Sequence, residues 1–290
     1  MATSPRRVHV VTDSTASLPP DLAERSGVHV VPLVVVVDGT PHHEGVDLTT
    51  EDLAALLGRR ERLTTSQPSV QAFLDTYEAA ASAGAERIVS VHLSGDLSGT
   101  VHAAALAARS SPVPVEVVDS RTVAMALGYA VLAAARAAED GLPTADVVRA
   151  ALRTASGSTA LFVVDSLDHL RRGGRLSPAA AAVGSVLGLR PVLGVRDGRV
   201  DVVQKVRGRA AVLDRLVAAA VEALEEEGAR VAMHHLGDDE LVMACARRVR
   251  DATGQDVLVS PVSAVLGVHA GPGLVALVVS RDVAHRSGDG

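Results

Sequence analysis

Arg87-Ile88-Val89-Ser90-Val91-His92-Leu93 runs into Ser94-Gly95-Asp96-Leu97-Ser98-Gly99-Thr100, and an alanine-rich run then continues to Arg109. The first stretch is rich in β-branched and apolar residues, as a strand buried on both faces requires. The second sets glycines and hydroxyls where the strand gives way. The third is built from the best helix former. Strand, glycine loop and helix make the unit of a parallel α/β sheet, whose ligands collect at the carboxyl ends of the strands. The glycines let backbone approach a ligand. Ser98 and Thr100 can donate to a carboxylate or phosphate beside a helix start. The stretch is not a phosphate loop, since no lysine follows Gly99. Nor is it a nucleophile elbow, because Asp96 and Leu97 separate Gly95 from Ser98.

The same alternation extends in both directions. Val8-His9-Val10-Val11 reads as a buried strand ended by Thr12-Asp13-Ser14-Thr15; Pro19 and Pro20 then precede a helix over Asp21-Leu22-Ala23-Glu24-Arg25, which Gly27 stops. Residues 28–37 read as one strand bent at Pro32. Thr49 caps a helix with Glu51 and Asp52 in its first turn. Residues 69–84 place Phe73, Tyr77 and Ala80 at helical spacing. Residues 115–119 form a strand, 124–139 a long helix, and Thr144 caps the next helix. The composition shifts near Ser156-Gly157-Ser158, so two domains are expected, residues 1–157 and 158–290. In the second, strands are expected at 160–164, 230–234, 257–262 and 274–280. Helices are expected at 179–187, 213–227 and 239–253, and a hairpin around Arg196-Asp197-Gly198. The tail beyond Asp282 reads as frayed. The expected class is α/β, two α/β domains with mostly parallel sheets.

Composition narrows the function. Of 290 residues 48% are hydrophobic but only 1% aromatic, with no Trp, so the core must be aliphatic and base stacking is not available. With 28 basic against 34 acidic residues the net charge is −6, which excludes bulk attraction to phosphate polymers. The single cysteine, Cys245, lies in an apolar helical run and reads as a small buried hydrophobe. No disulfide framework is possible, which fits a reducing compartment. No apolar signal segment follows the first arginines, and no apolar run approaches the roughly 20 residues that span a bilayer. A cytoplasmic protein is expected.

Other interruptions of apolar strands carry candidate chemistry. Thr64-Thr65-Ser66-Gln67-Pro68-Ser69 offers hydroxyls ahead of a helix, either as an ordinary cap at Ser66 or as an anion site. Leu167 to Ser177 packs Arg171, Arg172 and Arg175 around Gly173 and Gly174, as an exposed basic loop that Lys205 and Arg207 can join. Gly267-Val268-His269-Ala270-Gly271-Pro272-Gly273 links two apolar strands and presents a histidine to a carboxylate. The adjacent pairs His42-His43 and His234-His235 have no metal-ligand spacing, so no metal is expected.

Taken together and in order, Thr12-Asp13-Ser14, Thr65-Ser66-Gln67-Pro68, Leu97-Ser98-Gly99-Thr100, Val118-Asp119-Ser120, Gly173-Gly174-Arg175 and His269-Ala270-Gly271-Pro272-Gly273 resemble the DegV family. The resemblance runs from Thr12 to about Ser280. It implies two α/β domains with a long-chain fatty acid in an apolar tunnel between them, and no other cofactor. Thr65, Ser66, Ser94, Ser98 and His269 are the implied carboxylate contacts. It further implies a carrier without chemistry of its own, which presents the acid to a separate kinase for conversion to acyl phosphate. Arg175 and Arg207 resemble the residues facing that kinase. Gly95, Val101, Ala124 and Ala126 depart from the family pattern and bear on chain preference and the donor set. The competing readings are a hydrolase using Ser94 or Ser98 with His269 as base, and a phosphate- or nucleotide-binding regulator.

Overall fold

The computed structural model describes residues 7–59, 61–181, 189–237 and 239–281. In the first half the strands are β1 (Val8–Asp13), β2 (Val28–Val31), β3 (Val34–Val37), β4 (Thr40–His43), β5 (Leu63–Ser66), β6 (Arg87–His92) and β7 (Val115–Asp119). The helices are α1 (Pro20–Ser26), α2 (Thr50–Gly58), α3 (Val70–Ser82), α4 (Thr100–Ala108), α5 (Ala124–Glu139) and α6 (Thr144–Ser156). A parallel sheet runs in the order β2-β1-β6-β7. Alternate residues serve its two faces, as the period of a strand dictates. Val8, Val10, Val89 and Val91 meet Leu127, Val131 and Val147 of α5 and α6. Val11 and Ile88 meet Phe73, Tyr77 and Ala103 of α3 and α4.

The second half contains β8 (Ser158–Val163), β9 (Leu189–Arg196), β10 (Arg199–Arg207), β11 (Arg230–His235), β12 (Leu258–Pro261) and β13 (Val275–Ser280). Its helices are α7 (Asp168–Gly173), α8 (Pro178–Ala181), α9 (Arg209–Leu224), α10 (Glu240–Thr253) and α11 (Ala264–Ala270). The sheet order is β10-β9-β8-β13-β11-β12. On one face Val231, Met233, Leu277 and Val279 pack on Val212, Leu216, Val242 and Val249 of α9 and α10. On the other, Ala160, Ala232 and Val278 pack on Ala124, Met125, Ala126 and Tyr129 of α5. Helix α5 is therefore held between the two sheets. Ala124 through Val131 are all buried, as a helix covered on both sides requires.

The two-lobed α/β reading holds, with strand directions more mixed than alternation implied. The first sheet is parallel, whereas in the second only β11 and β12 pair in parallel. Asp197 and Gly198, with φ of 48° and 81°, turn β9 straight back into β10. Strand β13 returns antiparallel between β8 and β11.

Several local expectations are corrected. Residues 28–37 form two strands, because Pro32 has no N–H for a ladder and the chain leaves the sheet there. The second piece, β3, heads a small antiparallel sheet in the order β4-β3-β5. Thr64-Thr65-Ser66 is strand, and the cap of α3 is Ser69, whose hydroxyl accepts from Ala72 N–H. Pro143, not Thr144, occupies the cap position of α6. The basic loop is largely the short helix α7, closed by Gly174 in the left-handed region. His269 lies in the last turn of α11, which Ser263 caps, rather than in a connector. Helix 213–227 begins earlier, at Arg209, and ends at Leu224. Of the helix expected at 179–187, the described part ends at Ala181; the rest, and the tail beyond Asp282, lie outside the described residues.

Candidate functional site

A cavity of about 390 Å³ opens between the lobes. Its floor is the face of the second sheet opposite α9 and α10, carrying Ala160, Phe162, Ala276 and Val278. Val123 and Ala124 at the start of α5, Val265 and Leu266 of α11, and Val195 and Val200 of the β9–β10 hairpin add apolar walls. The void has a sequence cause. Alanines at 160, 276 and 124 stand where larger aliphatics would have filled the space between sheet and helix.

One end is polar. Thr65, Ser66 and Gln67 come from the end of β5, Ser98 and Gly99 from the loop before α4, Arg175 from behind α7 and His269 from α11. His269 Nε2 lies 2.8 Å from Thr65 Oγ1. The Nδ1 edge of the ring lies on Gly173, where a Cβ would strike it, so a glycine is needed there. Burial, aided by the Arg175 charge, lowers the His269 pKa to about 4. The His269 imidazole is therefore neutral near pH 7. Arg175 Nε donates to Leu97 O at 3.2 Å and Nη1 donates to Gly173 O, which fixes the guanidinium across the lobe boundary. Ser98 Oγ is 2.8 Å from Thr100 Oγ1 at the α4 start. Ser66 Oγ donates to Gln67 O at 3.2 Å. Thr65, Arg175 and His269 also line a more polar outer basin with Arg62, Asp168, His169 and Arg172. Neutral donors and one cation thus converge where an apolar cavity meets a polar surface. Such a donor set suits a single carboxylate.

The structure brings Thr65, Ser66, Ser98 and His269 together and leaves Ser94, of the expected carboxylate contacts, apart. Ser94 is fully buried and its hydroxyl donates to Gly198 O at 2.7 Å, so it ties the first lobe to the hairpin tip instead of facing the cavity. Arg207 is exposed at the end of β10 remote from that tip, paired in register with Leu189. Arg175 moves the other way, from a surface role into the cavity lining. The structure adds Gln67, which the hydroxyl stretch contains but to which no role attached, and the lining from β8 and β13, whose apolar character is legible in sequence but whose neighbours are not.

A histidine–serine–carboxylate chain does occur elsewhere. Asp13 Oδ2 lies 3.0 Å from His92 Nδ1, His92 Nε2 lies 2.7 Å from Ser90 Oγ, and Ser90 Oγ lies 2.9 Å from Tyr77 OH. All four side chains are fully buried, so no substrate reaches Ser90. The chain satisfies polar groups inside the first lobe. Burial also pushes the Cys245 thiol up, which suits an inert core residue. Among the described residues no histidine, cysteine and carboxylate cluster could hold a metal, and no helix is long and apolar enough to cross a membrane.

Comparison with known proteins places this arrangement. A family described as uncharacterised proteins of the DegV family matches residues 7–282. A DegV domain-containing protein of Streptomyces coelicolor is 45% identical, over 95% of this chain and 99% of its own. A DegV family protein from Thermus thermophilus, whose structure is described for fatty acid binding, is 35% identical with a TM-score of 0.85. The match covers 94% of this chain and 99% of that one. DegV from Bacillus subtilis, described as a fatty acid binding protein, superimposes with a TM-score of 0.88 at 29% identity, over 95% and 99% of the two chains.

Proposed function

The chain belongs to the DegV family, and from that premise we propose that it binds one long-chain fatty acid in the cavity between its lobes. The observation that carries the reading is the cavity itself, apolar along its walls and closed at one end by Thr65, Ser66, Ser98, Arg175 and His269. Each buried CH₂ of an acyl chain contributes about 0.8 kcal/mol, so the chain supplies most of the affinity. The carboxylate is held by hydroxyls, the Thr65–His269 pair and the Arg175 charge. Without such donors its desolvation would cost several kcal/mol.

In this reading the protein is a cytoplasmic carrier without chemistry of its own. The carboxylate end faces the outer basin, where a separate kinase reaches it and a carboxylate oxygen takes the terminal phosphoryl group of ATP, giving an acyl phosphate and releasing ADP. The bonding of Ser94 to Gly198 O, and the pairing of His269 with Thr65 and of Ser98 with Thr100, weigh against the hydrolase alternative, which needs His269 on Ser94 or Ser98. Ser94 is assigned no head-group role, since it does not line the cavity, and the exposed Arg207 is kept as a residue of the kinase-facing surface.

Mass spectrometry of denatured protein purified from bacteria tests the reading. A fatty acid should be released in near-stoichiometric amount, and the stripped protein should take up oleate or palmitate. Protein that carries no lipid and takes up none would overturn it. His269→Ala and Arg175→Ala should each weaken retention, while Arg207→Ala should leave it unchanged.

A further inference from the structure

Helix α11 supplies Val265, Leu266 and His269 to the cavity, yet it has only seven residues and cannot hold its own position. Its N-terminus is gripped from outside. Glu44, just past β4 of the small sheet, accepts hydrogen bonds from Ser263 Oγ at 2.9 Å and from the Ala264 N–H, the first of the helix. The same carboxylate accepts from Ser14 Oγ at 2.6 Å, at the end of β1 in the first lobe. The Glu44 backbone is fixed too, its N–H donating to Leu33 O, while Leu33 N–H donates to Ser14 Oγ. Ser263 N–H donates to Ser17 Oγ, so the chain ahead of the helix is also tied to the first lobe.

One carboxylate therefore joins the first lobe, the small sheet and the second lobe at the head of the helix that carries His269 in its last turn. We propose that Glu44 is a positioning residue for the fatty-acid site, setting the His269 ring against Thr65 through the rigid length of α11. The proposal rests on the fatty-acid reading. His269 is five residues beyond Ala264, about 7.5 Å along a helix, so Glu44 touches no ligand and acts only through α11. A carboxylate is suited to the place because every group it meets is a donor. An amide of the same shape would turn an N–H₂ toward at least one of them. Burial pushes the Glu44 pKa up, and these hydrogen bonds pull it back down.

The test compares the full chain, stripped of lipid, with Glu44→Gln and with the control Val249→Ala, a core truncation in α10 far from α11. Oleate affinity is measured by calorimetry, thermal stability by unfolding, and the His269 ring by its NMR resonances. Glu44→Gln should weaken oleate by about tenfold or more and shift the His269 resonances. Val249→Ala should lower the unfolding temperature without either effect. Unchanged affinity and resonances in Glu44→Gln, or an affinity loss in the control that matches it at equal loss of stability, would overturn the proposal. Should the unaltered chain bind no oleate, the fatty-acid reading fails instead, and the His269 resonances still decide whether Glu44 places the ring.

Discussion

His269 shows how far a residue's neighbours decide its chemistry. As a loop histidine it would titrate near 6.5; buried beside Arg175 it is neutral down to about 4. An arriving carboxylate supplies opposite charge and raises that value. Oleate affinity should therefore rise as the pH falls toward the ligand-bound pKa of His269, with proton uptake on binding. Calorimetry in buffers of different ionisation enthalpy measures the uptake, and a buffer-independent heat with no His269 shift would contradict it. Gly173 belongs to the same contact. Gly173→Ala should displace the ring, with a stability loss of about 1–3 kcal/mol typical of overpacking and a larger loss of oleate retention, read by denaturation and calorimetry. Gly173, Arg175 and His269 all stood out in the sequence as glycine, charge and imidazole within apolar surroundings. That Gly173 serves the His269 ring was not legible, since the two lie far apart in the chain and meet only because α7 packs on α11.

At the scale of elements, the β9–β10 hairpin reaches from the second lobe to the first. Ser94 Oγ holds Gly198 O, Arg121 donates to Asp197 O, and Arg199 pairs with Asp96 at 2.9 Å. The Arg199–Asp96 ion pair and the Arg121 contact lie at the surface and are worth little, whereas the buried hydroxyl contact and the glycine turn are worth more. At Gly198, φ is 81° and a Cβ would lie 2.5 Å from Ser94 Oγ, so Gly198→Ala should cost about 1–2 kcal/mol in denaturant unfolding. Ser94→Ala should cost about 1 kcal/mol and retain lipid, whereas Ser98→Ala should keep stability and weaken retention. Equal lipid loss in both serine variants would return Ser94 to the head-group set. The hairpin was readable from Asp197-Gly198, because a two-residue turn with positive φ has few sequence solutions. Strand β5 and helix α11 were not, since four and seven residues give too little periodicity to tell strand or helix from loop.

For the whole molecule, the lobes meet through α5 and a buried histidine. His234 of β11 is fully buried, and its Nε2 accepts from Met125 N–H at the start of α5. Burial lowers its pKa to about 4 from 6.5. The unfolded chain then binds the extra proton, so this contribution is whole above pH 6.5 and is lost as the pH falls toward 4. Its size is on the order of 3 kcal/mol. The raised pKa of Glu44 acts in the opposite sense, so the comparison must isolate His234. His234→Gln should flatten the fall in urea stability between pH 7 and 5, and an unchanged slope would refute the assignment. Across this scale the sequence by itself determined the α/β class, the aliphatic core and the polar stretches at strand ends, because strand and helix periods and glycine or proline breaks act between near neighbours. The tertiary structure alone decided that two sheets share α5, that small residues from both lobes leave a cavity rather than a sealed core, and which hydroxyls face it. Those outcomes depend on contacts between segments a hundred or more residues apart, whose geometry no local pattern encodes.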